Sequence, residues 1–383
     1  MKYIVILGDG MADEPLAGLG GKTPLEYADT PNMDRMAREG SCGLLNTIPD
    51  GFEAGSDIAN MSILGYAPQE YYTGRGPLEA LSMGVDLAAG DVAYRCNLVT
   101  VEDGIMKDFS AGHISSGEGA SLLASLNREL PGIALHSGVS YRNLMVVPDG
   151  KGTRVAPPHD IVGQSVTGNL PDGGDADLLL RCIEKSREVF ATHPVNAARI
   201  KAGKPPATQI WPWSGGHKPA FPPFSVKYNK NGGMISAVDL LNGIARCACM
   251  ETIKVPGATG YLDTDYAAKG RYALDAIRHL DFLYLHIEAP DEAGHLGSSE
   301  EKIKAIERVD GVVGMIREKF DGVLAVLPDH PTPIRLKTHT RDAVPFVITG
   351  KGTDRTETFS EKTAVNGGFG TKEAVDFLLF LFS

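Results

Sequence analysis

Tyr3-Ile4-Val5-Ile6-Leu7-Gly8-Asp9-Gly10 begins as an unbroken apolar run and ends with a carboxylate held between two glycines. A run this short, with no polar alternation, predicts a strand buried on both faces, as in a parallel sheet. Residues 31–39 then predict a helix. Thr30 stands at the N-cap, Pro31 at the first helical position and Gly40 past the end, while Met33, Met36 and Ala37 share one face. The same grammar returns late in the chain. Residues 282–287, 323–327 and 344–349 read as buried strands, and 371–382 as a last helix. Ser298 with Glu301 reads as a capping box opening a helix that carries Ile303, Ile306, Val309, Val313 and Ile316. Alternating strands and helices at both ends of the chain predict a doubly wound α/β core with a mostly parallel sheet.

The middle reads differently. Residues 92–101, 133–135 and 144–147 predict strands, and Asp175 opens a helix whose apolar face includes Leu178, Leu179, Cys182, Ile183 and Phe190. Residues 204–224 hold six prolines and both tryptophans. They are expected to form a long irregular connector, with a cover over a cleft as the alternative. A chain of 383 residues exceeds one ordinary core. The expected division is a core from 1–84 and 231–383 with an inserted second α/β domain at 85–230.

A net charge of −11 disfavours nucleic acid and anionic membranes as partners. An anionic small substrate would need a local basic patch. Five cysteines, odd in number and without paired spacing, argue against a disulfide framework, and Cys247-x-Cys249 reads as two small apolar residues on a helix. The first apolar run is too short for a signal peptide, and no stretch approaches the roughly 18 apolar residues of a membrane span. A cytoplasmic protein is expected.

Asp9 follows the first strand, Asp291 and His295 follow 282–287, Asp329 and His330 follow 323–327, and His339 precedes 344–349. Ligands of open α/β sheets bind beyond the strands' carboxyl ends. Singly, each of these has an ordinary reading as a turn former, a cap or a surface histidine. Together, three Asp and three His at one sheet edge predict a metal cluster. Mixed carboxylate and imidazole donors suit Mn²⁺, Zn²⁺ or Co²⁺ better than Mg²⁺ alone, so the candidates are Mn²⁺, Zn²⁺, Co²⁺ or Mg²⁺. Six such donors suit two ions, and two-metal sites serve phosphoryl transfer. Ser56, after Gly55 and ahead of a helical pattern, is open to two readings: the N-cap of that helix, or a nucleophile activated by metal at a helix N-terminus. Arg75, Arg95, His113 and Arg142 are the candidate donors for an anionic substrate.

Gly8-Asp9-Gly10, Thr30-Pro31-Asn32-Met33-Asp34, Ser56 with its flanks, Pro290-Asp291-Glu292-Ala293-Gly294-His295, Pro328-Asp329-His330 and Thr338-His339-Thr340 occur in that order. This resembles the alkaline phosphatase superfamily, and within it the archaeal-type cofactor-independent phosphoglycerate mutases. The resemblance spans nearly the whole chain. It implies one divalent ion on Asp291, His295 and His339, and a second on Asp9, Ser56, Asp329 and His330. It further implies a phosphoserine at Ser56, interconversion of 3- and 2-phosphoglycerate without bisphosphoglycerate, and substrate contacts from Arg95, His113 and Arg142 in the insert. A mutase must retain its glycerate and exclude water, so the insert is expected to close over it. Ser56 lacks the Cys/Ser-x-Pro-x-Arg context of a sulfatase nucleophile. The longer bacterial mutases carry a lysine near the return to the core, which residues 255–260 lack here. Ile210-Trp211-Pro212-Trp213 resembles a subgroup proposed to act as homoserine kinases, so a phosphotransferase or phosphatase on another small metabolite is the alternative.

Overall fold

A computed structural model describes residues 1–383. In chain order the strands are β1 (Tyr3–Gly8), β2 (Ser41–Asn46), β3 (Val92–Glu102), β4 (Ile105–Asp108), β5 (Ala134–His136), β6 (Arg142–Val147), β7 (Gln209–His217), β8 (Gly232–Ile235), β9 (Glu251–Thr252), β10 (Phe282–Ile287), β11 (Val323–Leu327), β12 (Val344–Ile348) and β13 (Thr371–Glu373). The chain divides into two compact units, one of residues 1–72 with 221–383 and the other of residues 73–220.

The first unit carries an eight-stranded sheet ordered β13-β2-β12-β11-β1-β10-β8-β9. Strands β1, β10 and β11 lie in parallel register, Tyr3 opposite Phe282 and Val323, Leu7 opposite His286 and Leu327. Both faces of β1 are buried, which is why its sequence shows no alternation. Ile4 and Ile6 join Ile306, Val309 and Val313 of the Ser299–Arg317 helix in one core. Tyr3, on the opposite face, meets the ring of Phe382. The sheet is thus doubly wound and mostly parallel. Only β12 runs antiparallel to its two neighbours, β11 and β2. That reversal has a consequence for the site. The start of β12 and the ends of β1, β2, β10 and β11 lie at one edge, so the loops holding Asp9, Ser56, Asp291, Asp329 and His339 all emerge there.

The second unit is built on β3, which pairs antiparallel with β4, β6 and β7, while β5 extends the sheet beyond β6. The Ser116–Asn127 and Ala176–Ala191 helices pack their buried leucines, Cys182, Ile183 and Phe190 into its core.

Several expectations need correcting. The units part near residues 73 and 221 rather than 85 and 230, because the Arg75–Ser82 helix packs on β3 and β7. Residues 204–224 are not an irregular connector throughout, since β7 occupies Gln209–His217. Residues 371–382 are not one helix: Thr371–Glu373 pairs with β2 and only Phe377–Phe382 is α-helical. Thr30 stands at the N-cap of the Pro31–Glu39 helix without a side-chain bond to it. The Asp310 carboxylate accepts from Asn32 N at 3.1 Å and Met33 N at 2.8 Å instead. Asp175 likewise caps nothing by its side chain, its carboxylate accepting from Lys151 N and Gly152 N. Cys247 ends a helix but Cys249 lies beyond it, exposed. No helix is long and apolar enough to cross a membrane.

Candidate active site

The site in the first unit starts from Ser56. Gly55 holds the N-cap in extended backbone and Ser56 is the first residue of the Ser56–Ile63 helix, so the hydroxyl is not the cap. Its Oγ lies 3.1 Å from His330 Nε2. Asn60, one turn on, donates to the Ser56 carbonyl and to Asp329 Oδ2, both at 2.8 Å, and accepts from Tyr284 Oη at 2.6 Å. The helix start is therefore tied to the end of β11 by a buried amide. Asp329 Oδ1 accepts from Gly10 N and from His330 N.

Two carboxylate–imidazole groups share His330. Asp9, Asp329 and His330 form one, all buried; Asp291, His330 and His339 form the other. His330 Nε2 lies 3.6 Å from Asp9 Oδ1 and 3.5 Å from Asp329 Oδ2. His295 adjoins the second group, with Nε2 3.2 Å from Asp291 Oδ2 and 3.1 Å from His339 Nε2. It is i+4 to Asp291 on the Ala289–Leu296 helix, which puts both side chains on one face. All seven residues expected around the metals thus meet at one sheet edge.

Hydrogen bonding fixes which nitrogen each histidine offers. The Thr332 hydroxyl gives its proton to Asp291 Oδ1, so His330 Nδ1 must donate to Thr332 Oγ1, leaving a lone pair on Nε2. His295 Nδ1 donates to the Lys337 carbonyl at 3.0 Å and His339 Nδ1 to the Ala54 carbonyl at 3.4 Å, with the same result. Three Nε2 atoms thus turn toward carboxylates, and two of them toward each other. Facing acceptors need a cation between them. A proton fills the role at one end: its hydrogen bond to Asp291 raises His295 to about 9. At the other end, burial and the nearby Asp329 and Asp291 push the Asp9 carboxyl well up, and Asp9 Oδ1 has no hydrogen-bond partner. Burial also lowers His330, which favours the neutral, ligating form. The donor set fits divalent cations.

Residues that sequence reading missed support this edge from behind. His286, on β10, donates through Nε2 to Asp9 Oδ2 at 2.9 Å, and burial drops it to about 3, so it stays neutral. Lys269 is fully buried, donates to the His286 carbonyl, and is lowered by burial to about 8. Lys302 Nζ joins the Ala12 and Thr332 carbonyls to Asp13 Oδ2, tying the Asp9 loop to the Thr332 loop. Only Asn60, four residues from Ser56, carried a spacing signal. The others sit inside strands or helices like core residues.

The second unit gathers the four basic candidates. Burial, and then the charges of Arg75 and Arg142, lower Arg95, while Glu79, 2.9 Å away, opposes this. The register supports this grouping: Arg142 on β6 stands opposite Asn97, two residues along β3 from Arg95, and Arg75 opens the helix packed on β3. Arg95 lies 4.4 Å over the Trp213 ring and Arg142 4.8 Å over Tyr141. The rings of His159 and Phe109 complete a continuous array from Trp213 to Tyr141, and His113 meets Tyr141. His113 sits at φ 47° after Ala111 at 48° and Gly112 at 64°, left-handed backbone unusual for two of these residues. Asp108 holds that turn by accepting from Ser110 N and Gly112 N, and Arg199 donates to the Ala111 carbonyl. Strain held so firmly is a mark of functional sites. Trp213 and His159 were missed as members of this face.

Comparison with known proteins gives one family. A profile described as 2,3-bisphosphoglycerate-independent phosphoglycerate mutase matches residues 37–196. A 2,3-bisphosphoglycerate-independent phosphoglycerate mutase of Methanothermobacter thermautotrophicus is 52% identical over 385 residues, covering 98% of this chain and 95% of the relative. Among solved structures, a protein from Pyrococcus horikoshii superposes with a TM-score of 0.87 at 32% identity, covering 100% of this chain and 96% of the other. A cofactor-independent phosphoglycerate mutase from Thermoplasma acidophilum gives 0.71 at 28%, covering 100% and 99%.

Proposed function

Because the chain belongs to the 2,3-bisphosphoglycerate-independent phosphoglycerate mutases, we propose that it interconverts 3-phosphoglycerate and 2-phosphoglycerate by passing the phosphoryl group through Ser56. The observation that carries this reading is the Ser56 hydroxyl at a helix start, 3.1 Å from His330, the residue common to both carboxylate–imidazole groups. Asp291, His295 and His339 would hold one divalent ion and Asp9, Ser56, Asp329 and His330 the other. Bound there, such ions supply charge neutralisation for the phosphoryl group and a lowered pKa for the serine hydroxyl.

The chain's own residues account for the rest. Ser56 Oγ attacks phosphorus, the bond to the C3 oxygen of glycerate breaks, and the hydroxyl proton ends on that oxygen. Glycerate turns without leaving. Its C2 hydroxyl then attacks the phosphoserine and the proton returns to Oγ. The serine carries the phosphoryl group between oxygens, so no bisphosphoglycerate is needed. Amides of the first turn of the Ser56–Ile63 helix favour the negative charge. In the second unit, Arg75, Arg95 and Arg142 would hold the carboxylate, with His113 fixed by its strained turn. A guanidinium cluster in so acidic a chain suits retention of an anion, which separates a mutase from a phosphatase.

The test is product identification. Incubation with 3-phosphoglycerate and Mn²⁺ should yield 2-phosphoglycerate with little free phosphate. Free phosphate as the main product would indicate a phosphatase. Phosphorylation of homoserine from ATP, without mutase turnover, would indicate the phosphotransferase alternative.

A further inference from the structure

A separate cavity of about 460 Å³ opens in the second unit, where the end of the Ala176–Ala191 helix and the Pro194–Lys201 helix meet β3 and β7. Its walls include Val101, Phe190 and Ile200, and Ile200 is an exposed apolar side chain at 62%. Two polar groups occupy one side. Arg187 Nε donates to Gln209 Oε1 at 2.7 Å, and this is the one hydrogen bond of its guanidinium, with no carboxylate in ion-pair reach. Gln209 is 1% exposed, and its amide nitrogen has no acceptor. Buried donors without partners are rare in native proteins and costly to keep. None of these residues belongs to the arrangement around Ser56 or to the Arg75–Arg95–Arg142 cluster.

We propose that this cavity is a second ligand site, for a small monocarboxylate with an apolar body. The volume lies in the range of small-molecule sites. An apolar wall with a guanidinium at one side selects an amphiphile. The Arg187 guanidinium, on an exposed residue with no carboxylate partner, disfavours cations and makes an anion the charged end, and its Nη groups offer the two-pronged geometry a carboxylate accepts. Inorganic phosphate would leave the apolar walls uncovered, and a neutral hydrocarbon would leave Arg187 unanswered.

Calorimetry on the full chain with 3-phenylpropionate as probe, against the neutral 3-phenylpropanamide, tests this. The acid should bind with the amide at least about tenfold weaker, the difference expected when a charged hydrogen bond is lost. Arg187→Met should weaken the acid by about tenfold and leave the amide unchanged. Ala191→Trp, at the cavity's rim, should weaken both. Mutase turnover in both variants should stay within about twofold of the parent, which separates this site from the one at Ser56. Equal affinity for acid and amide, indifference to Arg187→Met, or no binding of the acid at millimolar concentration would overturn the proposal.

Discussion

In the first unit, three carboxylates and three imidazoles crowd one sheet edge behind buried hydrogen bonds. In the second, three guanidiniums share a field along a row of aromatic rings. Each cluster works against itself. Asp9 is pushed up partly by Asp329 and Asp291, and Arg95 is pushed down partly by Arg75 and Arg142. Like charges held together in a folded chain are offset by a ligand of the opposite sign. The unpartnered Asp9 oxygen in the first unit suits a cation, and in the second, where Glu79 at 2.9 Å from Arg95 answers part of the charge, the remainder suits an anion, although the chain as a whole carries −11. The supports differ as well. The acidic cluster rests on fixed hydrogen bonds from Asn60, Thr332 and His286, whereas the basic one rests on ring faces and a strained turn.

The sharpest way to break this contrast is Asp291→Ala. Asp291 lies within 3.4 Å of both His295 and His339. Its loss should empty one cation position and cut turnover by more than about 100-fold, since disturbing even an outer partner of a metal ligand costs up to that much. Metal analysis of the purified variant checks it, with circular dichroism confirming the fold. Unchanged metal content at full activity would remove the cationic half of the comparison.

Arg142→Ala should act on the other half alone. Removing one charged hydrogen bond predicts a rise in KM for 3-phosphoglycerate of about tenfold or more, with metal content unchanged. The ratio of free phosphate to 2-phosphoglycerate should also rise, because the glycerate is held less firmly. Unaltered KM and product ratio would show that the guanidinium cluster does not bind substrate.

The smallest expected effect concerns stability. Glu361 is half-buried beside the Asp9 loop, its carboxylate accepting from Asp13 N and Thr23 Oγ1, and desolvation of that carboxyl raises it from 4.5 to about 7. A raised folded-state pKa means the folded chain holds this proton more tightly than the unfolded one. The resulting stability is complete below about pH 4.5 and is lost as pH rises through 7. Thermal unfolding of Glu361→Gln at pH 5 and pH 8 should therefore show a shallower fall in Tm than the parent, whatever its absolute level. Parallel curves would contradict the assignment.

Much of the first unit was legible because its chemistry follows its strands. Continuous apolar runs marked β1, β10 and β11, and the residue types just past them marked the cluster. His286, Tyr284 and Lys269 were invisible because they sit within buried strands and helices, where only tertiary register shows what they touch. The second unit was harder. Strand β7 carries Pro212 and two glycines, which read as breakers, yet it pairs only with β3 as an edge strand, where proline is tolerated. Misreading it hid Trp213 and with it the ring array. The three exposed polar residues of β13 carry no strand signal, and only their pairing with β2 defines them.

The central claim is that Ser56 carries the phosphoryl group. Rapid acid quenching of the Mn²⁺-loaded protein during turnover of 3-phosphoglycerate, followed by peptide mass spectrometry, tests it most directly. The account predicts phosphate on Ser56, and no phosphopeptide or mutase turnover in Ser56→Ala. Undiminished 2-phosphoglycerate formation by Ser56→Ala would contradict it.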